Sequence, residues 1–266
     1  MPQHPALARA AAFCDQFNLR VPILMAPMAS ACPPSLAIAI ANAGGLGGCG
    51  AVMMQPDAIK KWASDVRAGT NGGFQFNLWI PDPPPKRDAA AEAAVRDFLA
   101  NWGPPVPPEA GNLVLPNFQA QCDALLEASP VIVSSIMGLY PDRFVRQMKT
   151  KSVKWFATVT TVPKAWADAI GKAAPEDTVI TRTLTGRPAR SIATEFVRAA
   201  MAPTAPPPAP YPVQRGLTQP MRDAATKAND VARMQAWAGQ SARLARAESA
   251  GEVVQRLWQE TQALLG

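Results

Sequence analysis

The chain has 266 residues, 48% of them apolar, and a formal charge of +6, enough apolar content to bury one large core or two smaller ones. Lys and Arg are scattered, with no run longer than pairs such as Lys60-Lys61, which argues against a nucleic-acid partner. No apolar run approaches the roughly 18 residues of a membrane span, and the start "MPQHPALARAAAFC" lacks the apolar core of a signal peptide, so a cytoplasmic protein with no membrane partner is expected.

Taken in chain order, Val21 to Met28, "VPILMAPM", reads as a strand buried on both faces. Ser35 to Asn42 is helical in composition and leads into "AGGLGGCG". That stretch contains Gly45-x-Gly47-x-x-Gly50, the letter pattern of a dinucleotide-binding loop. Such a loop needs a strand before it and a helix after it. Here the order is inverted, so the glycines should end a helix in a left-handed cap and start a thin strand at Leu46 to Gly50. Gln55 to Arg67 carries Ile59, Trp62 and Val66 at helical spacing. Strands are predicted at Gly73 to Pro81, Pro130 to Gly138 and Val153 to Val162, with "PDRFVRQMK" a helix before the last. The alternation indicates an α/β fold with about five parallel strands.

Two proline-rich stretches punctuate this pattern. The excursion at 82–118 holds a predicted helix, Asp88 to Trp102, between proline clusters, and reads as a stiff lid. The tract "APTAPPPAPYP" at 202–212 reads as an extended connector. After it, "MRDAATKAND", "VARMQAWAGQSARLARA" and "GEVVQRLWQETQALL" read as helices. The domain division expected is a partial (β/α) barrel at 1–172 and a C-terminal helical region at 173–266. From Arg182 to Gly266, 11 basic and 6 acidic residues leave a local surplus suited to solvating helices or attracting a small anion. Cys14, Cys32, Cys49 and Cys122 have no metal-like spacing and are expected to be buried free thiols. Trp62, Trp155, Trp237 and Trp258 sit among aliphatic residues and are expected in core rather than in a binding box.

Seven segments in order, "PILMAPMA", "AIANAGGLGGCGA", "GFQFNLWIPDPPP", "VSSIMGLYP", "FATVTTV", "DTVITRTLTGRPAR" and "MQAWAGQSARLARA", together resemble the nitronate monooxygenase family, formerly 2-nitropropane dioxygenases. The resemblance implies an FMN-type TIM (β/α)8 barrel with an added helical region, and oxidation of alkyl nitronates with O2. It also exposes a gap. In the family, the helix resembling Lys164 to Lys172 follows the eighth strand, whereas here it follows the fifth-strand motif ending at Val162. Strands six to eight have no counterpart, on the order of 90 residues at about 31 per unit.

The resemblance places Ala26, Pro27 and Met28 along the flavin ring, gives Asn77 a cofactor contact, and puts Thr158 where the fifth strand turns toward the flavin. It assigns no catalytic residue, because the family's "GGH" histidine and its phosphate loops fall in the gap. The single histidine, His4, lies in a terminus and is expected to be exposed and inert. The expected partners are a small-molecule nitronate and O2, with a possible homo-oligomer if the apolar outer strands of an open barrel associate. Two alternatives stay open: an FMN-dependent enoyl reductase-like protein, which would react with a reduced nicotinamide, and a non-catalytic truncated scaffold.

Overall fold

The computed structural model describes residues 4–157, 175–239 and 248–265. It divides into two compact units, one formed by Met1–Pro81, Pro116–Thr160 and Glu248–Gly266, the other by Asp82–Leu115 and Thr161–Ala247.

The first unit is built on a four-stranded parallel sheet whose spatial order follows the sequence: β1 (Gly47–Gly50), β2 (Phe74–Trp79), β3 (Ile132–Ile136) and β4 (Lys154–Ala157). Its helices are α1 (Pro5–Phe17), α2 (Pro34–Asn42), α3 (Pro56–Gly69), α5 (Phe118–Ala128), α6 (Asp142–Thr150) and α10 (Ala250–Leu265). Local chemistry sets their starts. Pro34 and Pro56 occupy first-turn positions where no N–H is needed, and the Asn117 side chain accepts from Ala120 N at 2.9 Å to cap α5.

Alternation along β2 separates its two faces. Phe74, Phe76 and Leu78 are buried in one core with Trp62 of α3, whose ring centroid lies 5.6 Å from Phe74 and 5.0 Å from Phe76. Gln75, Asn77 and Trp79 occupy the other face, in register with Ile132, Ser134 and Ile136. Trp155 and Trp258 pack partly buried against the α3-side core. At the foot of the sheet, Phe17 of α1 packs with Leu46 and Ile132, and meets Phe156 edge-on at 5.7 Å. His4 is exposed, and its Nδ1 accepts from Ala6 N to cap α1.

The glycines do what the inverted order requires. Gly44 N donates to Ala41 O and Gly45 N to Ile40 O, which closes α2 with Gly44 in the left-handed region at φ +100°. Gly50 lets backbone approach backbone: a Cβ there would stand 2.6 Å from Ala29 N.

The expected strand at Val21 to Met28 differs from the finding. This segment runs parallel to the sheet through two isolated bridges, Leu24 with Leu46 and Ala29 with Gly50, rather than a continuous ladder. Pro22 and Pro27 lack the N–H that a ladder requires. The Met25 carbonyl is instead taken by the Gln75 side chain, Nε2 to O at 2.8 Å.

The second unit contains α4 (Ala89–Leu99), the antiparallel pair β5 (Thr178–Thr181) and β6 (Ala189–Ile192), and three helices, α7 (Glu195–Ala200), α8 (Val213–Leu217) and α9 (Gln219–Lys227). Its core gathers Val95, Leu99, Leu184, Phe196, Val197, Val213, Leu217 and Met221, with Trp237 packed partly buried against it. The helix expected from 231 is absent over the described residues 231–239: Trp237 forms an antiparallel bridge with Ser191, and Ile192 N donates to Ala236 O at 2.8 Å. The expected helix at Lys164 to Lys172 and the end of the fifth strand beyond Ala157 lie outside the described residues.

Candidate functional site

In open or closed parallel sheets, ligands bind where the strands end at their carboxyl side. At that edge the structure brings together four of the five sequence-assigned positions. The Ala29–Gly50 bridge sets Ala26, Pro27 and Met28 beside the end of β1, and Gly50 is in turn in register with Asn77. Ala51 N donates to Asn77 O at 2.8 Å, tying the two strand ends. Ala26 is exposed, Pro27 and Met28 are half-buried and Asn77 is buried. Thr158 lies outside the described residues.

Hydrogen bonds fix the orientation of Asn77. Its Nδ2 donates to Ser134 Oγ at 3.0 Å, and the Ser134 hydroxyl donates onward to Phe76 O at 3.4 Å. The Ser134 carbonyl accepts from Tyr140 Oη at 3.1 Å. Burial raises the Tyr140 phenol well above its ordinary pKa, so it remains a donor. Among the described residues nothing donates to Asn77 Oδ1, which leaves an amide acceptor at the end of β2.

The 26–32 turn is held from beneath. Met28 N donates to Cys32 Sγ at 3.1 Å, and the Cys32 carbonyl accepts from the buried Trp62 indole at 2.8 Å. Across the sheet end, Gln121 Nε2 reaches Ala51 O at 3.0 Å and Met54 O at 2.8 Å, fixing the loop after β1. All four cysteines are free and buried; burial pushes the Cys49 and Cys122 thiols up to about 12, which keeps them protonated and unreactive.

Ser134, Gln75 and Gln121 were not singled out from sequence. Gln75 carried a signal, a polar residue alternating with apolar ones along β2, whereas Ser134 sits next to Ser135 and shows no alternation. Gln121 sits on a helix, and its role depends on a loop about 70 residues away. No ionisable side chain occurs at 50–52, 77–80 or 134–138, so the ends of β1, β2 and β3 offer no general base. Among the described residues there is also no cluster of His, Cys, Asp and Glu fit to hold a metal.

The nitronate monooxygenase family model matches residues 12–170 and 163–260. The chain belongs to the nitronate monooxygenase family. A nitronate monooxygenase from Paraburkholderia phytofirmans is 32% identical over 154 residues, covering 54% of this chain and 41% of that protein. One from Pseudomonas aeruginosa is 30% identical over 174 residues, covering 63% of this chain and 48% of its own length. The chain thus spans less than half the length of these curated relatives. A solved nitroalkane oxidase from Streptomyces ansochromogenes matches with a TM-score of 0.74 at 22% identity, covering 96% of this chain and all of that one, a likeness of fold. Family and fold agree on the α/β class with its sequentially ordered parallel sheet. No helix among the described residues is long and apolar enough to cross a membrane.

Proposed function

We propose that this chain binds a flavin, FMN, at the carboxyl ends of the 26–28 segment and β2, and acts as an oxidoreductase on alkyl nitronates with O2. The observation that carries the reading is the unengaged Asn77 Oδ1, held in place by Ser134 beside Ala26, Pro27 and Met28. The donor set suits the ring of a flavin: Asn77 offers an amide to its polar edge, and Pro27 and Met28 offer apolar contact to its face. The phosphate is less well served. The parallel sheet runs from β1 to β4 among the described residues, and no later parallel strand supplies the loops at which barrels hold phosphate.

When bound, FMN supplies electron acceptance from the substrate and subsequent reaction with O2. The residues of the chain orient and shield. Ser134 keeps the Asn77 amide from rotating, and the half-buried Met28 limits water at the ring. A nitronate is already deprotonated at carbon, so it needs no base at the ends of β1 to β3. A neutral nitroalkane does need one. The site therefore favours the nitronate.

The test is titration of apo-protein with FMN, followed by absorbance and flavin fluorescence, with propionate 3-nitronate and nitroethane assayed in parallel at several pH values. Weak flavin binding, turnover of the nitronate and none of nitroethane are expected. Tight stoichiometric FMN with turnover of nitroethane would overturn the reading. So would rapid flavin reduction by NADH or NADPH, in favour of an enoyl reductase-like activity. Absence of any flavin binding would leave the non-catalytic scaffold.

A further inference from the structure

The first unit carries a second opening at the foot of its sheet, the end away from the candidate flavin site. A cavity of about 230 Å³ lies between α1 and α10. Four of its lining residues, Leu7, Ala11, Cys14 and Asp15, fall at i, i+4, i+7 and i+8 along α1 and so share one helix face. At about 1.5 Å per residue that face is about 12 Å long, apolar at the Leu7 end and charged at the Asp15 end. Trp258 and Gln262, one turn apart, line the cavity from α10. The walls are fixed. Cys14 is buried, Leu7, Leu19 and Trp258 are half-buried, Leu19 packs with Phe17, Leu46 and Ile132, and Trp258 packs against the larger core.

Two opposite charges line this cavity, and only one of them is compensated. Arg20 Nη2 donates to Asn42 O, and its Nε would stand 2.8 Å from a Cβ at Gly44. The guanidinium is thus laid on the C-terminal end of α2, where free carbonyls and the helix dipole favour a cation. Asp15 has no comparable neighbour. Among the described residues nothing donates to its carboxylate, and α1 has no basic residue in its last turn. A carboxylate in the last turn of a helix opposes the dipole, so Asp15 costs stability rather than adding to it. Its charge is felt at the cavity wall: after burial, it is what raises the Cys14 thiol.

We infer that the cavity between α1 and α10 binds a small organic ammonium ion with an apolar tail, the cation at Asp15 and Trp258 and the tail along Leu7, Ala11 and Leu19. An aromatic face and an uncompensated carboxylate both attract such a cation. An anion would meet the Asp15 charge with Arg20 already engaged, and a neutral ligand would leave that charge unused. The volume falls below the roughly 300 Å³ at which drug-sized sites begin, which keeps the occupant small. The site lies within the first unit and does not depend on the flavin reading.

The test titrates hexylammonium, 1-hexanol and hexanoate, which share a tail and differ in the head, against the flavin-free full chain by ligand line broadening in NMR. Saturable hexylammonium binding, about tenfold or more tighter than that of either other probe, is expected. Asp15→Asn should weaken it by about tenfold or more, the loss of a charge-assisted contact, while the melting temperature stays level or rises. A merely structural Asp15 would give the opposite thermal result. Ala11→Phe fills the apolar half and should abolish binding. Trp258→Leu should weaken it by about two- to fivefold, the range of a cation–π contact at an exposed site; Asp15→Asn serves if this variant fails to fold. Hexanol or hexanoate bound as tightly as hexylammonium, or parent-like binding by Asp15→Asn, would overturn the proposal. No flavin enters the readout, so its failure leaves the flavin reading standing, and the reverse holds too.

Discussion

Replacing Gly50 by alanine probes the contact on which the candidate flavin site rests. The added Cβ would stand 2.6 Å from Ala29 N and 2.8 Å from Met28 C, against 3.4 Å for ordinary contact, so the 28–29 backbone must recede by about 0.8 Å. It cannot do so freely. The segment is held by its bridge to Gly50 itself and by the Met28 N–H bonded to Cys32 Sγ. Overpacking of this kind destabilises by about 1–3 kcal/mol. The internal control is Gly251→Ala in α10, where the nearest atom, Ala43 Cβ, is 3.8 Å from the new carbon. In a helix with room to spare, that change should stabilise by about 0.5–1 kcal/mol. Urea unfolding followed by Trp fluorescence would read both. With a slope of about 2 kcal/mol/M, Gly50→Ala should lower the midpoint by on the order of 1 M and Gly251→Ala should raise it slightly. A Gly50→Ala midpoint at or above the parent value, with the slope unchanged, would refute the close-approach argument.

Further outcomes follow from the same geometry. Trp62→Phe removes the donor to the buried Cys32 carbonyl and should destabilise by about 1–3 kcal/mol, with unchanged stability showing that water replaces the indole. Asn77→Ala should weaken FMN binding by about tenfold, whereas Asn77→Asp tests whether the acceptor alone suffices; unchanged titrations in both would remove Asn77 from the site. Cys49 and Cys122 are raised from 9.0 to about 12, so the folded state holds protons that the unfolded state releases above about pH 9. Stability should fall as pH rises from about 9 toward 12, by up to about 1.4 kcal/mol per pH unit for each thiol, a slope that Cys49→Ala should lessen. Native protein at pH 8 should also react with a thiol reagent only as fast as it unfolds; immediate labelling of Cys49 or Cys122 would contradict their burial.

Much of the first unit was legible because its signals are local. The apolar runs of β2 and β3, the helical spacing of Ile59, Trp62 and Val66, and the glycines after α2 act over a few residues, and their alternation leaves a parallel sheet as the consistent arrangement. The letters Gly45-x-Gly47-x-x-Gly50 could be denied a phosphate role for the same reason, since the preceding helix already demanded a cap. Asn77 was visible through the family resemblance, whereas Ser134 was not singled out, because the adjacent Ser134 and Ser135 show no alternation.

Only the tertiary structure decided what depends on partners far along the chain. Val21 to Met28 has the composition of a strand, yet with Pro22 and Pro27 in it the pairing breaks into two bridges, and a side chain 50 residues away satisfies Met25 O. Residues 231–239 carry helix-compatible letters but are drawn to β6, because Ala236 O and Trp237 satisfy the edge that Ser191 and Ile192 would otherwise leave open. The late surplus of basic residues was plain in the sequence, but which guanidinium would meet a carboxylate was not. Asp82 lies 105 residues before Arg187 and pairs with it, whereas the buried Arg222 is held by the neutral side chains of Thr218, Gln219 and Gln235. Charge is set by composition, while its compensation is set by the distances that folding creates.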